Sequence, residues 1–594
     1  MFSAVSYFDW NRILTLNREY PTDEEVKSSG ETIPDWDKVP QTTAWERWAY
    51  YFYYNGNNGI NYYSYVPNVI QYLTAENGWD PSQGPQGAVP CGESTSCEVR
   101  LGGSTISVDS LILLYNGLNA LIQALVLTTI GSLADYGNNS HNILLVVTII
   151  SCAAQIAFLA FNEDASQYWG VPFLVALVFQ VSYGASLVFY WAIFPSLAVN
   201  DPKVRAAKRN PHVSQEEYAV IESFCRNHIS TISTAWSNIG FFVISTLNII
   251  IGNALAIRYN VSWDEVPQYG NSIYSAMCGA YWLLCGIPWF IVQKKRPGPP
   301  LPADANYFTY GWKTLGLAIK EYRRLPQTFL FLGAYFLLND AVSSMNSVTQ
   351  VLTVSLTNYD GLMQTYLSLV QAVCSIIGCF LFLHVQKRFH LSTKTMLQIS
   401  TGFTAIMPIW CCIGIWSPTI GFRTQAELWI YNAWFGIFTA PFYAYSQTLM
   451  SELVPIGKEN MFFSLFGIVS KVAQFFGPAL IGGVVAATKN TRIGFILCAV
   501  ANVLPLIVVA AINMERAEVR VKVYEEQERR KSETSVDELL QHGHHHNSDD
   551  DDDDDQVVHE EVFYLPQQQP SLSSVTPSSN HPKSSDGYQG GYGF

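Results

Sequence analysis

The chain has 594 residues, of which 49% are hydrophobic and 14% are charged, whereas about a quarter of the residues in soluble proteins carry a charge. This composition excludes a soluble globular protein and indicates an integral membrane protein. The net charge of −14 does not describe a binding surface, because the run of aspartates at 549–555 lies in a polar C-terminal tail.

The predicted fold is an all-α integral membrane protein with twelve transmembrane helices in two six-helix halves. A span needs about 20 mostly apolar residues. Apolar runs of this kind lie at 49–73, 108–130, 142–161, 170–197, 229–257, 272–293, 328–353, 363–385, 394–416, 427–452, 461–486 and 492–513. The predicted domains are an N-terminal tail at 1–44, halves at 45–293 and 328–513, a linker at 294–327 and a C-terminal tail at 514–594.

The orientation of the chain in the membrane is predicted from the residues that flank the spans. The first forty residues are polar and acidic, without the apolar core of a cleavable signal peptide. Lys and Arg residues concentrate in the loops on the N-terminal side of the membrane, which predicts that both termini are cytosolic. The linker is expected to hold an amphipathic helix at 310–325 on the cytosolic face, and the tail from residue 514 is expected to be disordered.

The first span carries many amides for a membrane helix. On one continuous helix, spacings of three and four place its polar side chains in a single stripe, formed by Tyr50, Tyr54, Asn57, Asn58, Asn61 and Tyr65. Gly56 and Gly59 permit either a close helix approach or a local break whose freed backbone groups bind a zwitterion. We interpret the stripe as one wall of a central cavity for a neutral or zwitterionic solute. The alternative is purely structural hydrogen bonding between helices.

Two features of the opposite loops agree with this orientation. Cys91 and Cys97 lie in the first non-cytosolic loop, where an oxidising lumen permits a disulfide that closes a short loop. Asn260 begins a glycosylation sequon in the loop between spans five and six. The sequon at Asn138 falls on the cytosolic side and is expected to stay bare.

The loop between spans two and three reads Gly131-Ser-Leu-Ala-Asp-Tyr-Gly137. It resembles the G-x-L-x-D-x-G loop of the major facilitator superfamily. The resemblance implies a tight turn in which Asp135 holds a charge or a helix end in one transport state. The basic residues that usually follow are replaced here by Asn138-Asn139-Ser140, which puts the usual charge relay in doubt.

Two ionisable side chains lie deep in the second half. Asp340 stands near the middle of span seven, in a polar segment with Asn339 and Asn346, and Lys471 lies inside span eleven. Such residues are costly in a membrane and usually face a cavity or a partner. We interpret them as a substrate or proton site in which Asp340 and Lys471 pair, or alternate between pairing and release. A structural polar cluster around Asp340 and snorkelling of Lys471 remain alternatives.

The turn that begins at Glu452 is the most distinctive string of the chain. Its Pro455 and Gly457 end one helix, and Glu459 at the start of the next complements the helix dipole. Lys458 and Glu452 are candidates for latching neighbouring helix ends, while simple helix capping is the alternative.

Several segments together resemble the autophagy-related vacuolar amino-acid effluxers, a family of the major facilitator superfamily. They are Trp48-Ala-Tyr-Tyr-Phe52, Tyr310-Gly-Trp-Lys313, Asn339-Asp340 with Asn346-Ser347, Val454-Pro-x-Gly-Lys-Glu-x-x-Phe-Phe-Ser464, Lys471 and Gly477-Pro478. The resemblance covers about residues 45–515 and implies efflux of amino acids, leucine among them, from the fungal vacuole to the cytosol after autophagic breakdown. This chain departs from the family at Asn55-Gly56 and Ala341, so its substrate choice is open.

Transport therefore explains the sequence best. No cluster of catalytic or metal-binding residues is found in the sequence, so we expect neither an enzyme nor a metal or other cofactor. The expected partners are an amino-acid substrate and membrane lipid, with proton coupling left open and no nucleic acid. The alternative from another class is a non-transporting nutrient sensor or scaffold that signals through the cytosolic tail.

Overall fold

The computed structural model describes residues 39–61, 65–81, 91, 97–161, 167–260, 269–299, 301, 307–356, 361–417, 419–488, 491–528 and 530. The N-terminal tail before residue 39, the second and third residues of the Asn260 sequon and the tail from residue 531 onward lie outside the described residues.

Helices make up almost all of the described chain. They are α1 (Ala44–Gly56), α2 (Val66–Glu76), α3 (Val108–Ile130), α4 (Asn139–Ala157), α5 (Gly170–Val199), α6 (Pro202–Arg209), α7 (Gln215–Tyr259), α8 (Tyr269–Val292), α9 (Tyr307–Lys320), α10 (Pro326–Leu356), α11 (Gly361–Phe389), α12 (Thr393–Trp416), α13 (Gln425–Glu452), α14 (Glu459–Thr488) and α15 (Gly494–Ala511), and α16 at 514–528. Strands β1 (Glu98–Leu101) and β2 (Ser104–Ser107) form an antiparallel hairpin in which Val99 is paired with Ile106. Short 3₁₀ turns lie at Ser132–Asp135, Phe158–Ala160, Glu321–Arg323 and Thr491–Ile493.

Each predicted span overlaps described helical structure, and ten of the described helices are long and apolar enough to cross a membrane. The two predicted spans outside that set are the first, which is broken into α1 and α2, and the tenth, which is α13. The described residues are therefore those of a mainly helical, multi-pass membrane protein, and the count of twelve spans stays a prediction.

We call α1–α8 the N-terminal group and α10–α15 the C-terminal group. The linker side is the end of the helices at which the linker leaves α8 and enters α10. The hairpin side is the opposite end, where β1 pairs with β2 and a disulfide joins Cys91 to Cys97. Asn260, which ends α7 in a left-handed conformation, is exposed on the hairpin side.

The continuous helix expected over 49–73 is wrong, because the chain leaves helical geometry after Gly56. Gly59 has a φ of +82°, a backbone conformation that glycine adopts without steric cost. The side-chain amide of Asn58 donates to the backbone carbonyl oxygen of Asn55 at 3.1 Å, and so satisfies an acceptor that the end of α1 leaves open. The chain therefore adopts the local break that Gly56 and Gly59 permit.

Close approach of helices is the second role of glycine in this region. A Cβ atom added to Gly56 would lie 2.7 Å from the Cβ of Cys285 in α8. A Cβ added to Gly240 in α7 would lie 1.9 Å from the backbone oxygen of Asn55. Helix α1 is therefore packed backbone-close against both α7 and α8, a distance that only small residues allow.

The linker is held to the start of α1 by a buried ion pair. The carboxylate of Glu46, which is fully buried, accepts from the guanidinium of Arg296 at 2.8 and 2.9 Å and from the backbone N–H of Lys294 at 3.0 Å. The predicted amphipathic helix of the linker is present as α9.

The prediction of a disordered tail from residue 514 needs correction, because its first fifteen residues form α16. Ala517, Val521 and Tyr524 share one helical face and are buried in the main core. Glu525 on the same helix accepts from the backbone N–H of Ile456 at 2.7 Å. Burial raises the pKa of the Glu525 carboxyl, and the hydrogen bond from Ile456 opposes that rise.

Replacing Gly240 with alanine is expected to destabilise the protein, since the added methyl group collides with the backbone of α1. Overpacking of this kind costs about 1–3 kcal/mol, which lowers the thermal midpoint of the detergent-purified protein by several degrees. Gly333→Ala in α10 is the matched control, because nothing lies within 4 Å of its added Cβ. Equal midpoints for the two variants would contradict the close α1–α7 contact.

Candidate functional site

The N-terminal and C-terminal groups are joined on the linker side by Asp135. Its carboxylate accepts from the backbone N–H of Asn460 at 2.8 Å, from the Asn460 amide at 3.0 Å and from the backbone N–H of Met461 at 3.0 Å. These N–H groups belong to the first turn of α14, where a helix has no internal acceptors for them and carries a partial positive charge. One buried carboxylate of the N-terminal group thus caps a helix of the C-terminal group.

The predicted gating residues of the turn lie around this cap. The Nζ of Lys458 stands 5.6 Å from the centre of the Tyr136 ring, a cation–π arrangement. Glu452 accepts from the hydroxyls of Ser223 in α7 at 2.6 Å and of Thr393 in α12 at 2.7 Å. Glu459 is the first residue of α14. Glu452 therefore bridges helices of the two groups, as a latch would.

The linker covers the Asp135 loop. Gly298 donates its backbone N–H to the carbonyl of Gly137 at 2.8 Å, and the hydroxyls of Tyr136 and Tyr310 lie 2.7 Å apart. Burial, followed by the neighbouring Tyr136, raises the pKa of Tyr310 to about 12. Both hydroxyls are therefore neutral at physiological pH, and their hydrogen bond does not respond to pH changes in that range.

Side chains that the sequence did not single out extend the contact through α7. Arg226 donates to the backbone oxygen of Ser451 in α13 and forms an ion pair with Glu222. Ser230, one turn further along, donates to the backbone oxygen of Ala444 at 2.9 Å. Arg226 is one of the basic residues that predict the orientation, but its place in the sequence does not reveal that α13 lies opposite.

Aromatic rings form the next layer toward the membrane centre. The rings of Phe194 in α5 and Phe463 in α14 lie 6.0 Å apart, edge to face. Trp191 meets Phe466 at 6.4 Å, and Tyr335 of α10 stacks on the same Phe466 at 4.0 Å. Together with the polar contacts below them, these rings hold the two groups together on the linker side.

The structure does not bring the predicted first-span residues into one wall. The break after Gly56 separates the side chains of α1 from those that follow it, and each contacts a different helix. On α5, the Tyr190 ring lies 4.8 Å from that of Tyr54, and Ser186 accepts from Asn57 at 3.1 Å. Asn61 donates to Gln155 of α4 at 2.7 Å and to Ser275 of α8 at 3.0 Å. Tyr65 accepts from Asn248 of α7 at 2.6 Å, and Asn58 donates to the backbone of Asn55. Most of these amides bond within the N-terminal group, which is the structural alternative.

Asp340 sits in a polar contact between α10 and α14. A Cβ added to Gly477 would lie 2.2 Å from both Asp340 Oδ1 and Ser344 Oγ, so the carboxylate occupies space that this glycine leaves open. Within the described part of the chain, neither of those two atoms has a hydrogen-bond partner. The neighbouring Asn339 donates to the backbone oxygen of Ser470 at 2.8 Å. The cluster therefore combines a structural amide with a carboxylate whose Oδ1 has no partner among the described residues.

Two predicted members lie apart from this carboxylate. Asn346 is exposed on the surface of α10 and does not join the cluster. Lys471 donates from its Nζ to Gln474 at 3.3 Å, and the described contacts of Asp340 do not include Lys471. Lys471 and Gly477 are six residues apart on α14, or about 9 Å along the axis at 1.5 Å per residue. Asp340 and Lys471 thus lie on adjacent helices, at levels about 9 Å apart along α14.

Residues 42–522 match the family model described as "Vacuole effluxer Atg22 like". Autophagy-related protein 22 of Pyricularia oryzae is 25% identical over 508 residues, covering 77% of this chain and 74% of that protein. The protein of the same name from Chaetomium globosum is 24% identical over 513 residues, covering 76% and 77%.

The chain is also similar to solved structures. The human organic anion transporter MFSD10 (TETRAN) superposes with a TM-score of 0.52 at 11% identity, over 79% of this chain and all of that one. The proton:xylose symporter XylE of the major facilitator superfamily gives a TM-score of 0.49 at 11% identity, over 77% and 94%. The likeness to MFSD10 shows a shared transporter fold and nothing about the substrate.

Asp135→Ala is expected to open the linker side, because it removes the acceptor of the α14 N–H groups. Hydrogen bonds contribute about 0.5–1.5 kcal/mol each, so the loss of three raises the open population at least about tenfold. A cysteine in place of the buried Ser464, which lies against Gly131, reports this opening through its rate of labelling by a water-soluble maleimide.

Asp201→Ala is the control for this measurement. Asp201 also caps a helix on the linker side, by accepting from Lys203 at the start of α6, but all of these residues belong to the N-terminal group. Its loss should leave labelling at the parent rate. Equal labelling in both variants would show that Asp135 does not hold the groups together.

Proposed function

The chain belongs to the Atg22-like vacuole effluxer family, and on that premise we propose that it exports amino acids, neutral ones such as leucine, from the vacuole lumen to the cytosol by alternating access. The family and the fold are those of membrane transporters rather than enzymes. The vacuole as its location, the amino-acid substrate and the direction of transport are parts of this proposal.

One observation carries the choice of substrate. Asp340 places a carboxylate between α10 and α14, in the space that Gly477 leaves open, and Lys471 lies about 9 Å from Gly477 along the axis of α14. A charged group inside a membrane is costly unless it meets a partner or a polar cavity. An α-amino acid carries an ammonium and a carboxylate a few ångströms apart, so it can interact with both residues at once. A sugar or a simple anion would offer an opposite charge to at most one of them.

The contacts support a mechanism in which only one side opens at a time. The linker side is closed by the cap on α14, the Glu452 bridge and the aromatic layer. We assign the linker side to the cytosol and the hairpin side, which carries the disulfide and Asn260, to the lumen. Solute then enters from the lumen in this conformation. Its release to the cytosol requires the first turn of α14 to leave Asp135.

The proposal is tested with purified full-length protein in liposomes loaded with labelled leucine. Wild type should release leucine faster than protein-free liposomes. Asp340→Asn and Lys471→Gln should each slow release at least about tenfold, since each removes a charge that contributes about 1.5–3 kcal/mol to ligand binding.

The control is Asn346→Ala, which changes an exposed residue of the same helix and should leave release unchanged. If wild type and protein-free liposomes release every amino acid tested at the same rate, the transport proposal fails. If only Asp340→Asn behaves as wild type, the proposal stands and Asp340 is a structural residue.

A sensor remains the second candidate, and α16 is the observation that favours it. This helix connects the cytosolic tail to the turn before α14 through Glu525 and Ile456, and to the linker through Arg520, which donates to the Arg323 carbonyl at 3.1 Å. A change in the turn could therefore reach the tail.

Truncation separates the two candidates. A chain that ends at residue 530 keeps the described α16 contacts, so a transporter should retain leucine release within about twofold of wild type, as expected for a change outside the folded core. In a sensor the same deletion should abolish the cellular response to amino-acid starvation, and the wild-type protein should release no leucine from liposomes. Normal release by the truncated chain rules out the non-transporting sensor.

A further inference from the structure

The buried side-chain amide of Gln123 in α3 is not part of the contacts described above. Its side chain is fully buried, and among the described residues neither Nε2 nor Oε1 has a hydrogen-bond partner. The amide occupies a notch in α5 that Gly184 leaves open, since a Cβ on Gly184 would lie 1.7 Å from Gln123 Nε2. An apolar side chain of the same volume would fill this notch at lower cost.

The position of Gln123 relative to the C-terminal group follows from the contacts one turn below it. A Cβ on Gly467 of α14 would lie 2.4 Å from Val188 of α5 and 3.4 Å from Leu127 of α3, so these three residues meet at one level.

On each of the three helices, the residue one turn nearer the hairpin side lies four positions away in the sequence. This residue is Gln123 for Leu127 on α3, Gly184 for Val188 on α5 and Lys471 for Gly467 on α14. On α14, Ser464, Gly467 and Lys471 recur at helical spacing, and Ser464 meets Gly131 of α3. Lys471 therefore stands on the face of α14 that is turned toward α3, at the depth of Gln123.

We propose that Gln123 is a substrate-contacting residue that, together with Lys471, binds the carboxylate of the transported amino acid. Leaving a buried amide unsatisfied costs free energy, and a ligand carboxylate that accepts from Nε2 removes that cost. This inference rests on the proposed transport function and deepens it, because it places one ligand in contact with both helix groups.

The three residues then have different roles in binding one zwitterion. Lys471 supplies the positive charge for the carboxylate, and Asp340 supplies the negative charge for the ammonium. Gln123 adds the contribution of the N-terminal group, since Asp340 and Lys471 both belong to the C-terminal group. A ligand that lacks the carboxylate should gain nothing from Gln123.

The test compares leucine with leucinamide, which has no carboxylate, as inhibitors of labelled leucine transport by the full-length protein in liposomes. Gln123→Leu keeps the volume and removes the hydrogen bonds. It should raise the leucine concentration needed for half inhibition about tenfold, the effect of one hydrogen bond to a charged group. The value for leucinamide should stay unchanged.

Asn432→Leu is the control, because Asn432 donates to Leu428 of its own helix at 2.9 Å, and it should change neither value. A purely structural role of Gln123 would raise both values together or lower only the maximal rate, and either result overturns the inference. Where Gln123→Leu does not fold, by thermal midpoint, Gln123→Ala provides the same comparison. Absence of leucine transport by wild type overturns the proposed function instead.

Discussion

The first N–H groups of α14 have no acceptor within their own helix, and the closed linker side depends on how they are satisfied. Near the membrane, water does not reliably replace a missing partner, and an unsatisfied backbone group costs free energy. Asp135 provides the acceptor from the other group of helices. The turn before α14, the linker over the Asp135 loop and the Lys458–Tyr136 contact all surround this interaction. A single carboxylate therefore links the position of α14 to the position of α3.

Glycine makes the rest of this contact possible. Gly131 lies against Ser464, and Gly467 lies against Val188, on the two helices that meet at the boundary. Without these glycines the aromatic rings of α5 and α14 could not approach closely, because protein interiors leave little unfilled space. The same principle operates at Gly477, where the space is filled by the carboxylate of Asp340. These glycines thus either allow two helices to cross closely or leave space for a polar side chain.

The approximate positions of the long helices could be predicted from the sequence because a membrane span requires a long apolar run, and that requirement is local. The family could also be recognised, and the match over residues 42–522 confirms it. The partners of the amides could not be predicted. The positive φ of Gly59 breaks the continuous helix that the predicted stripe of Tyr54 and Asn61 assumes. The α16 helix was missed because the average polarity of the tail conceals three apolar residues at helical spacing.

Alternating access places a limit on how strongly the linker side is closed. A ligand shifts a conformational equilibrium only by the difference between its affinities for the two states. Three hydrogen bonds to the Asp135 carboxylate, at about 0.5–1.5 kcal/mol each, are comparable with the difference in affinity that one small amino acid can supply. We therefore expect the open state to form new contacts on the hairpin side that offset much of this loss. The ligand decides only the remaining few kcal/mol, and it does so most directly when it touches both groups of helices at once.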